Sequence, residues 1–158
     1  MADPTPTPMA DRIPGGNRFK NGYRLLIVFA NNPTLALWER GVTLPGVDAG
    51  DMIDITTQHN NVLRQMAFRA LKTITDASFE AGFDQNYMTQ MLAQCGVNTS
   101  VTVYMPTGDG VCFHGGLKSM APPSVFDGDF PVATCTLSIT NIDPADGSES
   151  APVFVAHA

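Results

Sequence analysis

The sequence predicts a mainly β fold: a β-sandwich or small barrel of about seven antiparallel strands, with one flanking α-helix and one long inter-strand loop. Three observations predict it. Short runs rich in β-branched and aromatic residues recur along the chain, and several alternate apolar with polar residues. Gly, Pro and Asp clusters separate these runs, and most links are too short for the crossover helices that parallel pairing needs. One segment alone has a helical repeat with signals at both ends.

Residues 1–22 read as an N-terminal arm, with 23–158 as the folded domain. The arm opens MADPTPTP and continues through Pro14-Gly15-Gly16-Asn17. Alternating prolines favour extended polyproline-type backbone, and such a segment buries too little to offset its ordering entropy alone. Tyr23-Arg24-Leu25-Leu26-Ile27-Val28-Phe29 is the first strand, stopped by Asn31-Asn32-Pro33. Residues 35–40, with Trp38, form a second that 42–45 extends, and 46–50 turn. Residues 51–57 alternate, with Ile53, Ile55 and Thr57 opposite Asp54 and Thr56.

Residues 58–71 fit two readings. Val62, Met66, Phe68 and Leu71 have partly helical spacing, but neither end carries a stop signal, so the stretch is a short helix or a protruding loop. Residues 73–83 are a strand anchored by Ile74, Phe79 and Phe83. The clear helix is 84–95. Asp84 is its N-cap, Gly96 its stop, and Tyr87, Met88, Met91, Leu92 and Cys95 its apolar stripe. Strands at 99–105 and 111–120 flank the turn Thr107-Gly108-Asp109-Gly110, with a bulge expected at Gly115-Gly116. Residues 131–140 alternate strongly, Asp143-Pro144-Ala145-Asp146-Gly147 turns, and 151–156 end the chain as a short strand.

The 158 residues suit one core, and their formal net charge is −6. Such a chain repels phosphate and does not grip nucleic acid over its surface. Charged residues make up only 15 %, below the usual level of roughly 25 %, which leaves surface to be hidden against partners. Cys95, Cys112 and Cys135 are odd in number with no C-x-x-C pair, so they read as buried thiols of a reducing compartment. No secretion signal opens the chain, and the longest apolar run, 25–30, is far too short to cross a bilayer.

Catalytic and ligand motifs are sparse. The histidines are His59, His114 and His157, and no nucleophile elbow or Gly-rich phosphate loop occurs. Cys112 and His114 share a strand face, which makes two potential metal ligands, but the further ligands of a zinc or copper site do not follow in sequence. Asp48, Asp51 and Asp54, and separately Asp127 and Asp129, miss the calcium-loop pattern and read as turn residues. The expectation is a non-enzyme without cofactor or metal. Trp38 reads equally as core or as interface anchor.

An ordered series of short pieces adds to this. It runs Phe29-Ala30-Asn31-Asn32-Pro33, Trp38-Glu39, Val42-Thr43-Leu44-Pro45-Gly46-Val47-Asp48, Gly50-Asp51, Ile53-Asp54, Thr56-Thr57 and His59-Asn60. Leu71-Lys72-Thr73, Phe83-Asp84, Gly116-Leu117-Lys118-Ser119 and 133–140 followed by Asn141 and Asp143-Pro144 complete it. In this order the chain, over roughly 20–153, resembles the major tail tube proteins of long-tailed (siphovirus-type) bacteriophages. The arm of 1–22 has no match there.

That resemblance implies a β-sandwich with a flanking helix, six copies per ring, and rings stacked into a hollow tube, an architecture shared with type VI secretion tubes. It reads 56–72 as an extended loop reaching the next ring. The implied self-assembly interface comprises Trp38, Asp48, Asp51, Asp54, Thr56, Thr57, Arg64, Arg69 and Lys72. Partners would be further copies and other tail proteins, such as tape measure, terminator and distal tail protein. DNA would cross the lumen without specific binding, and no membrane would be engaged. The location would be the virion tail, and host cytoplasm before assembly. Rivals are another tail component of related fold, such as a terminator or contractile-tail tube, and a monomeric ligand-binding β-sandwich. On the tube reading, charge reversal at Arg64 or Arg69 stops tube growth, which electron microscopy checks as loss of tubes.

Overall fold

The computed structural model describes residues 4–6, 25–35, 37–105 and 109–156. In chain order the elements are β1 (Leu26–Phe29), β2 (Trp38–Thr43), β3 (Val47–Asp48), β4 (Ile53–Asp54), β5 (Met66–Ala67), β6 (Thr73–Ile74) and β7 (Ala77–Gly82). Then follow α1 (Gln85–Gln94), β8 (Thr99–Tyr104), β9 (Gly110–Ala121), β10 (Val132–Ile139) and β11 (Val153–Val155). Seven of the strands form one antiparallel sheet in the order β1-β8-β9-β10-β7-β2, with β11 beside β9. The expected mainly β architecture with one helix is what the chain adopts. Tyr23, the turn residues Thr107 and Gly108, and all of the 1–22 arm except 4–6 lie outside the described residues.

The alternation of the strands decides which side is core. Ile27, Phe29, Val101, Val103, Phe113, Phe79, Leu117 and Leu137 point into one cluster and are at most 1 % exposed. A ten-residue helix cannot cover seven strands, so the sheet must cover itself. Its two halves close over a common core, and the end strands meet where the Ile27 backbone N–H donates to Glu39 Oε1 at 3.0 Å.

β9 makes this closure possible. Its residues 110–115 pair with β8, and its residues 115–121 pair with β10. The change of partner falls on Gly115 and Gly116. A Cβ on Gly115 would collide with the Ser138 carbonyl, and one on Gly116 with the Val97 carbonyl. These glycines therefore serve close backbone approach, and the expected bulge is not there. The register instead shifts between Thr136 and Leu137, where β9 carries Lys118 as one extra residue.

α1 follows its end signals. The Tyr87 N–H bonds to the Asp84 carbonyl, and Gly96 at φ 77° takes the left-handed stop and donates to the Leu117 carbonyl at 2.9 Å. The buried stripe is narrower than expected. Met91 and Gln94 are buried, but Leu92 is 59 % exposed. The helix rests along β9 and so needs only a thin line of contact, leaving Leu92 about 100° round the helix from Met91.

β1 is buried on both faces. Leu26 and Val28 face away from the main core, where they pack with Tyr104 and Val155. A four-residue run without alternation is what two covered faces require. Gly116→Ala is expected to lower stability by about 1–3 kcal/mol through overpacking. Gly41→Ala, where a Cβ meets nothing within 4 Å, stays within about 0.5 kcal/mol. Urea unfolding of both variants checks this.

Candidate assembly surface

Beyond Thr43 and Ser78, the β2–β7 pair continues away from the sheet as a two-stranded arm. Its base is closed by Thr75 N–H to the Gly46 carbonyl (2.9 Å) and Gly46 N–H to Thr75 Oγ1 (2.8 Å). β3 pairs with β6, and β4 with β5. Residues 58–71 hold no helix. Side-chain hydrogen bonds shape the tip instead. Thr56 N–H donates to Asp54 Oδ1 (2.9 Å), Thr57 N–H to Asn60 Oδ1 (2.8 Å) and Gln65 N–H to Thr56 Oγ1 (2.9 Å). Such bonds occupy backbone groups that a helix would need. The alternation at 51–57, which on a sheet would mark a core face, serves no core. Ile53 and Ile55 are about half exposed, because the arm has two strands and no layer against it.

The arm concentrates apolar surface. Among the described residues, nine of the sixteen exposed large hydrophobics lie between Val47 and Leu71. Val62 is 88 % exposed, Leu63 77 %, Phe68 70 % and Leu71 84 %. Sequence reasoning placed 56–72 outside the sheet and named Val62, Phe68 and Leu71 for their spacing, but assigned the interface to the charges and threonines. Their signal was a run of large hydrophobics in a stretch without strand alternation or helix ends.

The expected interface residues divide into three groups. Asp48, Asp51, Asp54, Thr56 and Thr57 sit on the arm, Asp51 exposed there and the other four engaged in its own turns, Asp48 Oδ1 accepting from Gly50 N–H at 2.8 Å. The Thr56 hydroxyl and N–H hold the Asp54 carboxyl below its ordinary range. Arg64, Arg69 and Lys72 project from the arm with no acidic partner among the described residues, although Arg69 Nε donates to the Asp51 carbonyl at 3.0 Å. Trp38 stands apart. It starts β2 opposite Gly82, at the far end of the strand pair from the arm, and is half-buried.

A second exposed apolar group occupies that far end. The loop 122–131 carries exposed Val125, Phe126 and Phe130 together with Asp127 and Asp129. Phe83 N–H donates to the Pro131 carbonyl at 3.0 Å, a Cβ on Gly82 would touch the Phe130 ring at 3.0 Å, and Arg40 lies 5.5 Å above that ring. The six residues of β7, roughly 20 Å, separate arm from loop.

Other chemistry is modest. Cys112 and His114 are buried on the second face of β9, and the Cys112 Sγ lies 3.3 Å from Ser100 Oγ and from Thr102 Oγ1. No three His, Cys, Asp or Glu side chains among the described residues converge on a metal-sized site. Lys118 and Asp76 form an exposed ion pair at 3.0 Å, and the lysine lowers the Asp76 pKa. The hollow under α1, lined by Leu37, Tyr87, Met91, Met120 and Cys135, measures about 20 Å³, room for about one water.

No family model and no curated protein matches the chain. Solved structures do. A chain from the tail of an empty gene transfer agent particle, refined with C6 symmetry, aligns with TM-score 0.52 and 14 % identity over 76 % of this chain and 84 % of that one. A chain from the virion of a native gene transfer agent particle aligns with TM-score 0.56 and 16 % identity over 84 % and 95 %. A chain from the six-fold symmetrised baseplate of the anti-feeding prophage gives TM-score 0.50 and 11 % identity over 73 % and 87 %. The likeness is one of fold.

Cys135 is enclosed in the core, and burial, with a smaller contribution from Cys95, pushes its thiol up to about 12. The raised folded value means that this thiol's contribution to stability is whole below the ordinary 9.0 and is lost as pH rises from there toward about 12. Native protein at pH 8 is expected to take iodoacetamide at half-buried Cys95 before Cys135, which reacts only on unfolding. Mass spectrometry of labelled peptides reads the order.

Proposed function

We propose that this chain is a structural tail protein that self-assembles into six-membered rings, stacked as a hollow tube through which DNA passes. The observation that carries the reading is the arm. A two-stranded hairpin has little stability of its own, and nine large exposed hydrophobics on it need a covering surface. A second copy of the chain supplies one in a stacked assembly. The shared fold with chains of tail and baseplate particles, two of them described with six-fold symmetry, supports the same reading.

Two further features support it. Among the described residues no strand pairs with the outer edge of β2, and residues 118–121 of β9 pair only with β10. Pairing such edges between neighbouring copies closes a ring and removes them as sites of uncontrolled association. The outward face of β10 and β7 presents Thr134, Thr136, Ser138, Ser78 and the acid Glu80, with the Asp76 and Lys118 charges mutually neutralised. Such a wall, in a chain of net charge −6, offers DNA few cationic contacts and so little friction. Tape measure, terminator and distal tail proteins fit as the partners at the tube's ends and interior. The virion tail is the location, reached from host cytoplasm.

The baseplate likeness favours one second reading, a tail component of the same fold that caps rather than repeats. The two differ in whether the chain alone polymerises. Negative-stain microscopy of the purified protein at high concentration tests this. Hollow stacks of six-membered rings are expected, single rings would favour the capping component, and uniformly monomeric particles would overturn both. Replacing Leu63 and Phe68 by Asp is expected to leave the melting temperature within a few degrees, because both are exposed, while abolishing stacks.

A further inference from the structure

Resting on that reading, we infer that the arm of each copy docks on the 122–131 loop of the next copy, its basic residues meeting Asp127 and Asp129. The two surfaces lie at opposite ends of β7, the arm leaving from Ala77 and the loop seated on Gly82. A contact between opposite ends of identical molecules is head-to-tail and repeats without limit, which is what stacking requires.

The charges match. Residues 56–72 carry Arg64, Arg69 and Lys72 and no Asp or Glu, whereas 122–131 carry Asp127 and Asp129 and no Lys or Arg. None of these five has an ion pair among the described residues. Of the arm's three acids, Asp48 and Asp54 suit the role less well, since each already accepts a backbone N–H donor within its own turn. The apolar groups match as well. Val62, Leu63, Phe68 and Leu71 on one surface face Val125 and Phe126 on the other, all exposed in the single chain. Phe130 is already held between Gly82 and Arg40, which gives the loop a fixed seat. Reach is sufficient. The twelve steps from Asp48 to Asn60 span at most roughly 40 Å, twice the length of β7.

The test is a charge swap in the full chain. D127K/D129K and R64E/R69E/K72E are each expected to raise the concentration needed for stacking by more than about tenfold, since like charges then face each other. The chain bearing all five substitutions restores attraction with the signs exchanged, and is expected to stack again. Circular dichroism confirms that each variant is folded. In parallel, a chain whose one change is photoreactive benzoyl-phenylalanine in place of Leu63 is irradiated within stacks, and the cross-linked peptides are sequenced. Attachment to 122–131 of another copy is expected. Attachment elsewhere, or failure of the five-substitution chain to stack, overturns this docking surface while leaving the tube reading intact. Absence of stacks from the wild-type chain overturns the tube reading itself.

Discussion

The pairing of β9 with two different neighbours is the constraint on which the rest depends. One strand serves β8 with its first half and β10 with its second, so it belongs to both halves of the sheet. At the change of partner the Ser138 and Val97 carbonyls approach so closely that only glycine fits at 115 and 116. From that crossing the two halves fold toward each other, Phe113 and Leu117 reach the same core, and the end strands come near enough for Ile27 N–H to bond Glu39. α1 then needs only to seal the side of β9, through Met91 and the Gly96 bond to Leu117.

The chain divides its apolar residues between two uses. Those of the sheet, Phe154 of β11 excepted, are mostly removed from water and stabilise the subunit. Those of the arm and of the 122–131 loop stay largely in water in the single chain and, apart from Phe130 beneath Arg40, contribute little to it. The arm's local order comes from Asp, Thr and Asn side chains bonding to backbone, which shapes a hairpin without burying it. An assembly partner would find the arm preshaped, so less conformational entropy is lost on docking.

Electrostatics follows the same division. The described charges are largely solvated, with one ion pair, Lys118 to Asp76, among them. A surface pair of this kind adds little to stability. Charge in this molecule therefore bears on what approaches it. Overall acidity disfavours phosphate, and the arm's basic residues gather in 64–72, apart from the acids of the 122–131 loop.

Much of the fold was legible in the sequence, because its signals are local. Alternation at 131–140 marked β10, and the Asp84 and Gly96 ends marked α1 to within a residue. The turn residues placed most strand limits, since they act through their own backbone. The candidate surface was legible only in part. Arg64, Arg69 and Lys72 were visible as a basic stretch, but the exposure of Val62, Leu63, Phe68 and Leu71 was not, since a hydrophobic residue looks the same in sequence whether or not a layer covers it. The helical spacing at 58–71 gave no helix for that reason. Nothing packs against it, and side-chain bonds to backbone prevail. Leu92 fell outside the helix stripe, and Trp38 fell at the far end from the arm, because both depend on which strands become neighbours. By itself the sequence determined the strands, the helix and the acidic charge, which short-range geometry and composition dictate. Only the tertiary structure decided that β9 pairs on both sides of its glycines, and that arm and loop stand at opposite ends of one strand. Those relations join residues far apart in the chain, and burial and register settle them only once the sheet has closed.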